Sequence, residues 1–313
     1  MAAAGQDNSP AAHGQAVDVV IVNWNAGDQL ATCLQSLARF GDGLIRSVVV
    51  VDNGSTDGSA DFEVPGLSLR IIRAGENLGF GRACNLGAAD AAAPLLLFLN
   101  PDAAVLPDAL SRAVAFMATP EADDIGVLGI QLIDEDGDVH HHSTDRASPR
   151  TMFTHAQRAV RFDHLHSREV DHVIGAFYLI RTELFRSLGG FDERFFVYLE
   201  DVDLSARVQD AGWRVHYLAE ARAFHRGGGT SDQVKAKRLF YALRSRVLYG
   251  FKHFSFASAV AVTAATLLAE PGLRLGRAVM RRSMREVHET LGAYGRLYRD
   301  LPAILRAARR GRP

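Results

Sequence analysis

Three carboxylates fall within four residues in the stretch FFVYLEDVDLSARVQDAGW, at Glu200, Asp201 and Asp203, just after Phe195, Phe196 and Tyr198. A carboxylate at a helix start can act as general base toward a hydroxyl, with the aromatics as the surface on which the hydroxyl's carrier packs. The same acids also suit the positive end of any helix. Further candidates lie upstream. Asp52 ends an apolar run and opens the turn NGSTDGS, where it can accept a hydrogen bond from a pyrimidine imide N–H or simply cap the turn. Trp24 ends another apolar run and offers a flat face for stacking. Asn100-Pro101-Asp102 follows PLLLFL, so Asp102 can offer a hard oxygen to Mg2+ or Mn2+, ions that complete their shells with phosphate and water, or cap the next helix. His225 closes a short run before a glycine-rich loop, a place from which it could ligate a metal or contact a diphosphate.

These residues need a scaffold, and the hydrophobic pattern supplies one. Residues 17–24, 47–52, 67–73, 94–99 and 125–133 are short apolar runs that read as buried strands. Between them, 28–40, 82–92 and 107–117 carry helical spacing, as in Leu30, Leu34 and Leu37. Strands alternating with helices predict a mostly parallel sheet with helices on both faces. Asn23, Asn25, Asp52, Asn53, Asn100 and Asp102 then gather at the carboxyl ends of strands, the edge where open α/β sheets bind ligands. The glycine-rich 75–87 is no dinucleotide fingerprint, yet a glycine loop leading into a helix suits phosphate.

Residues 134–166 read as a turn at DEDGD and a long loop, with His140, His141 and His142 solvated, since three adjacent histidines cannot all point one way. Beyond them, 172–180 reads as a strand and 182–188 as a helix closed by Gly189 and Gly190. Two short strands, 213–218 and 221–225, and a long basic-aromatic helix, 233–254, follow.

The order of the motifs carries more than any one of them. VNWN (22–25), VVDNGSTDGS (50–59), ENLGFGRACNLG (76–87), FLNPD (98–102), the block 175–213 and HRGGGTS (225–231) resemble family 2 glycosyltransferases, and within them the bacterial rhamnosyltransferase-like branch. The resemblance spans residues 17–250. It implies an α/β GT-A fold, a mostly parallel central sheet flanked by helices, with 17–133 as nucleotide-binding half and 134–250 as acceptor half. Residues 251–313 would form a helical C-terminal extension. It implies inverting transfer from a nucleotide-diphospho-sugar, dTDP-rhamnose first, to a saccharide or lipid-linked acceptor, with Mg2+ or Mn2+ as cofactor.

On the matching motifs, Asp52 would meet the base with Trp24 beside it. Asp102 would bind the metal, His225 would sit at metal or diphosphate, and Asp201 would be the catalytic base. Asn23, Asn25, Asn53, Gly79, Arg82, Asn85 and Asn100 complete the expected donor site. Phe196, Tyr198, Glu200 and Asp203 form the expected acceptor site. Asn100 departs from the plain DxD pattern and leaves the metal one formal carboxylate. The competing readings are a nucleotide-sugar-binding protein without transfer and a nucleotidyltransferase. The second lacks the N-terminal glycine-rich basic loop that would hold a triphosphate.

Composition sets the outer bounds. The chain has 313 residues, 48% hydrophobic and 23% charged, ordinary globular values. Its net charge of −1 hides an asymmetry: residues 271–313 hold 11 arginines and 3 acids, and the rest hold 24 bases and 33 acids. In the tail, Val287, Leu291, Tyr294, Tyr298, Leu301 and Leu305 share one helical face. Such a helix fits an anionic leaflet, which predicts a cytoplasmic, peripheral place on the inner face of the plasma membrane. The alternative is packing of the tail on the body or on a second subunit of an oligomer. Nothing resembles a base-reading module, which argues against nucleic acid.

Cys33 and Cys84 read as small core residues. Residues 1–16 read as a disordered lead-in without the basic and apolar regions of a signal peptide. No window stays apolar without interruption for the ~18–20 residues of a membrane span, and 254–270 reads as a buried or interfacial helix.

Overall fold

The computed structural model describes residues 16–61, 64–140, 145–154, 163–227 and 235–309. Residues 1–15 of the expected lead-in, His141 and His142, and most of the loop after His225 lie outside the described residues.

The amino-terminal half alternates as expected: β1 (Val17–Asn23), α1 (Asp28–Phe40), β2 (Ile45–Asp52), β3 (Leu69–Arg73), α2 (Phe80–Ala88) and β4 (Leu95–Leu99). Every residue of β1 and β4 is buried, which is why both read as unbroken apolar runs. Next come β5 (Ala103–Val105), α3 (Ala109–Met117), β6 (Ile125–Ile133), α4 (Pro149–Thr154), β7 (Arg168–Val170), β8 (Phe177–Arg181) and α5 (Thr182–Ser187). The chain then forms α6 (Glu200–Asp210), β9 (Arg214–His225), α7 (Lys235–His253), α8 (Phe256–Ala264), α9 (Glu270–Met280) and α10 (Met284–Arg309).

The strands lie in the order β3-β2-β1-β4-β8-β6-β9-β5, with β7 also paired to β9. β3, β2, β1 and β4 run parallel, while β8 is antiparallel to both β4 and β6. The chain moves outward from β1 to β3 and then returns to the other side of β1 as β4. That reversal opens a crevice at the carboxyl ends of β1 and β4. Register brings Asn23 level with Asp52, and Ile21 level with Leu99.

Helices α1 and α3 cover one sheet face and α2, α5 and α6 the other, giving two apolar clusters. Gly87 shows how close α2 lies, since a Cβ there would stand 2.5 Å from a Val20 methyl. A third cluster joins α7, α8 and α10 to Phe195 and Val202.

Three expectations need correction. The strand predicted over 172–180 begins only at Phe177. The two short strands before His225 are one strand, β9, with an irregularity: Ile130 pairs with Leu218 and Gln131 with Arg222, so Ala219, Glu220 and Ala221 bulge out. Helix α10 packs along α7 through Ala293, Tyr294, Leu297, Ile304 and Ala308. The buried face of α10 is thus turned from the predicted one, leaving Leu291 and Tyr298 exposed. Finally, Phe256–Met280 is one helical run of 25 residues, long and apolar enough by length and composition to cross a membrane, though Glu270, Arg274 and Arg277 interrupt it.

Candidate active site

At the crevice the described residues enclose a cleft of about 580 Å³. Val22 and Trp24 enter it from β1, Asn100, Pro101 and Asp102 from the end of β4, and His225 from the end of β9. Phe196, Val197 and Tyr198 supply another wall, and α7 contributes Lys237, Arg238 and Tyr241.

The polar residues at the ends of β1 and β2 work largely on each other. Asn23 is fully buried, and its amide donates to Ser55 Oγ (3.0 Å) and Ser59 Oγ (2.9 Å). The Asn25 Oδ1 accepts the Thr56 N–H at 2.7 Å. These bonds fold the NGSTDGS turn onto β1, so both asparagines act as scaffold, and neither lines the cleft. Asp52 is 7% exposed; it accepts the Ser55 N–H at 3.3 Å and lies 3.6 Å from Arg73.

Asn53 lines the cleft while holding the next loop: it donates to the Gly79 carbonyl (3.2 Å) and accepts the Leu78 N–H (2.8 Å). Gly79 is required by both conformation and space. Its φ is 86°, and a Cβ would meet the Phe196 carbonyl at 2.4 Å. The Phe80 N–H donates to that carbonyl at 2.7 Å, stitching the glycine loop to the aromatic wall.

Arg82 and Asn85 do not join the site. Arg82 is exposed and lies 3.9 Å from Glu193. Asn85 donates to the Phe191 carbonyl (2.9 Å) and accepts the Phe191 N–H (2.8 Å), so it secures the chain after the Gly189–Gly190 turn.

Across β5 and β9, Ala103 pairs with His225. This sets the His225 Nε2 3.4 Å from the Asp102 Oδ1. The His225 Nδ1 is buried without a partner among the described residues. One carboxylate beside one imidazole fits a divalent ion that takes most of its shell from a diphosphate. Among the described residues no set of three His, Cys, Asp or Glu side chains is arranged to hold a metal unaided. His140 is not the solvated residue expected: its ring packs edge-on against His225 with centroids 5.5 Å apart. Burial and the neighbouring His225 hold its imidazolium form down.

The three carboxylates of α6 have three different fates. Asp201 is half-buried and does not itself line the cleft; it lies behind Phe80, which does, and a Cβ on Gly175 would stand 3.6 Å from Phe80 and 3.7 Å from Asp201 Oδ2. Its two oxygens accept the N–H groups of Gly175 (2.9 Å) and Val202 (2.8 Å), which fix the carboxylate and leave lone pairs over. Glu200 is buried, with Oε2 unpartnered; burial first, then the Asp201 charge, push its carboxyl well above the usual range. Asp203 is fully buried and meets Lys252 (2.6 Å), His253 (2.7 Å) and Arg207 (2.9 Å). Burial opposes its charge, and these partners more than offset that, holding its carboxyl below the usual range. Neither Glu200 nor Asp203 lines the cleft. Both support the helix start instead.

The wall ahead of α6 is conformationally unusual. Tyr198 and Leu199 both have left-handed backbone, at φ 71° and 67°. Such pairs of bulky residues persist only where surroundings hold them. Here α7 does so: Arg244 donates to the Arg194 carbonyl (2.7 Å), Ser245 to the Val197 carbonyl (2.9 Å), and Tyr241 stacks on Phe196 at 4.4 Å.

Sequence reasoning missed Lys237, Arg238 and Tyr241, which look like the ordinary outer face of a basic helix, and His172. His172 is buried on the segment before Gly175, its Nδ1 without a partner among the described residues. Burial lowers its imidazole, against the opposing pull of the Asp201 charge.

Comparison with known proteins agrees with this architecture. Residues 18–189 match the family described as Glycosyl transferase family 2. The N-acetylglucosaminyl-diphospho-decaprenol L-rhamnosyltransferase of Mycobacterium tuberculosis is 33% identical over 248 residues, covering 71% of this chain and 79% of the relative. Rhamnosyltransferase WbbL of Escherichia coli is 35% identical over 80 residues, 26% of this chain and 30% of that protein. Among solved structures, the mannosyltransferase PcManGT of Pyrobaculum calidifontis, in complex with GDP-Man and Mn2+, superposes with a TM-score of 0.54 at 19% identity, over 96% of this chain and 87% of that one. Residues 1–349 of TarS from S. aureus, with UDP-GlcNAc, give 0.53 at 18% identity, over 93% and 81%.

Proposed function

The chain belongs to glycosyl transferase family 2 and has the GT-A fold, and from that premise we propose that it is an inverting, metal-dependent rhamnosyltransferase acting on a lipid-linked saccharide. The observation that supports this most is the sorting of the α6 carboxylates. Of three, one is buried with its charge disfavoured and one is neutralised by cations. Asp201 is half-buried behind Phe80 of the cleft wall and oriented by two backbone N–H groups. A single displacement needs one base, and Asp201 is placed to take the proton from an acceptor hydroxyl as that oxygen attacks the anomeric carbon.

The donor's base lies against Trp24 with Asp52 below it, in this reading. Its diphosphate lies between the Asp102–His225 pair and the cations Lys237 and Arg238 of the cleft wall. Asp102 and His225 would hold Mg2+ or Mn2+, which would supply positive charge to stabilise the leaving diphosphate. The stacked Phe196 and Tyr241, with Tyr198, form an apolar floor for the acceptor sugar and keep water from the reacting centre.

The Mycobacterium tuberculosis relative is named for L-rhamnosyl transfer to a diphospho-decaprenol-linked N-acetylglucosaminyl group. That supports rhamnose as the sugar, a prenyl-diphosphate saccharide as acceptor, and work at the cytoplasmic face of the plasma membrane. The test is incubation of the purified chain with dTDP-rhamnose, Mg2+ or Mn2+ and a short-chain prenyl-diphosphate N-acetylglucosamine. We expect a metal-dependent rhamnosylated product. No product with this donor, and product with another UDP- or dTDP-sugar, would overturn the assignment of rhamnose and leave the site reading intact.

A further inference from the structure

The helical run Phe256–Met280 is largely uncovered: only 28% of its most apolar window is buried. Its exposed large apolar side chains are Phe256, Val260, Leu268, Leu273, Val279 and Met280. They spread over the open side of the run, with Leu273 and Met280 about a third of a turn around from Phe256, Val260 and Leu268. Leu268, Leu273 and Met280 are 80%, 72% and 87% exposed. Beside them, an apolar groove of about 400 Å³ runs between α8 and the end of α10, lined by Phe251, Leu267, Leu305 and Ala308.

Charge says what covers this face. Between residues 256 and 289 the sequence holds five arginines, at 274, 277, 281, 282 and 285, against three acids, Glu270, Glu286 and Glu289. Glu270 is buried and paired to Arg246 and Arg274, Glu286 lies 3.6 Å from Arg281 and Glu289 2.9 Å from Arg285, so the segment keeps a net positive charge, with Arg277 and Arg282 outside these pairs. A long exposed apolar surface ending among arginines is the pattern of a helix lying in the plane of an anionic interface. We propose that this face, and not the α10 face expected from sequence, docks on an anionic lipid leaflet, with Leu268, Leu273 and Met280 among acyl chains and the arginines at lipid phosphates. The inference rests on the membrane location proposed above and is independent of the sugar transferred.

Flotation of the full chain with vesicles tests it, using phosphatidylcholine with and without phosphatidylglycerol. We expect binding to the anionic vesicles alone, weakened by salt. The triple variant Leu268→Asp, Leu273→Asp, Met280→Asp should lower it about tenfold or more. These side chains are exposed, so its thermal transition should stay with that of the parent. A triple variant that folds and floats like the parent would overturn the surface assignment and leave the membrane location standing. No flotation of the parent with either vesicle would overturn both. A parent that is dimeric by light scattering, becomes monomeric in the triple variant and does not float would give the face to a second copy of the chain. Turnover of a short-chain soluble acceptor, unchanged in the variant, reads the transferase activity separately.

Discussion

The two long walls of the cleft are built in opposite ways. At the ends of β1 and β2, neighbouring turns close on one another: Asn23 on Ser55 and Ser59, Asn25 on Thr56, Asn53 on residues 77–79. The wall at 195–201 contains two residues with strained, left-handed backbone. It takes its order from α7, some fifty residues on, through Arg244, Ser245 and the Tyr241–Phe196 stack. The first wall is a rigid seat made by short-range polar chemistry. The second is held by tertiary contacts, and its geometry depends on how α7 is anchored.

Two substitutions two residues apart separate chemistry from anchoring. Asp201→Asn keeps the shape but has one acceptor oxygen in place of two, so it loses one of the bonds from Gly175 and Val202, and it cannot accept a proton. We expect kcat to fall about 10²–10⁴-fold with nucleotide binding nearly unchanged and a stability loss of about 1–3 kcal/mol. Retained turnover would remove Asp201 from the role of base. Asp203→Ala should act the other way. It removes the carboxylate that Lys252, Arg207 and His253 share, leaving Lys252 to Asp192 and Arg207 to the Leu188 and Gly190 carbonyls, and removing one partner of such a buried cluster costs about 3–5 kcal/mol. Thermal unfolding should show it, with activity following stability. Asp203 is depressed in the fold, so its contribution is present above the ordinary carboxylate range and fades as pH falls through its folded value. Acid should therefore loosen the α6–α7 junction in the parent and have less left to remove in the variant.

The same contrast explains what the sequence disclosed. β1, β4, β6 and α1 were legible to within a residue or two, because apolar runs and helical spacing are local signals. So were the strand ends that bear Trp24, Asp52, Asn53 and Asp102. Asn23, Asn25 and Asn85 were over-read: an asparagine at a strand end looks alike whether it meets a ligand or a turn, and here its bonds go to turns. Lys237, Arg238 and Tyr241 were under-read because only the packing of α7 turns them into the cleft. The break between two strands at 213–225 was a misread bulge. The α10 face was misjudged because Ala293 and Ala308, weak as hydrophobic signals, are among the residues that cluster with α7.

Smaller perturbations sharpen the second wall. Tyr241→Leu removes the stack under Phe196 while keeping apolar bulk, and an aromatic pair is worth about 0.5–1.5 kcal/mol beyond its buried area. We expect KM for the acceptor to rise about two- to tenfold, with donor KM little changed; the reverse pattern would move the stack to the donor side.

Glu200→Gln should be the mildest change at low pH and the most dependent on conditions. Glu200 is buried next to Asp201, and its carboxyl titrates well above its unfolded value. Such a group contributes stability at low pH and loses it as pH rises through the folded value, where the chain must either bury a second charge beside Asp201 or open the start of α6. Glutamine keeps the neutral shape at every pH. At low pH the two proteins should therefore unfold within about 1 kcal/mol of each other, as surface-neutral or near-isosteric changes do. With rising pH the variant should gain on the parent. A stability difference that does not change with pH would mean that Glu200 is already ionised in the fold. Asp201 would then work beside a second negative charge, and the sorting of the α6 carboxylates that supports its role as base would fail.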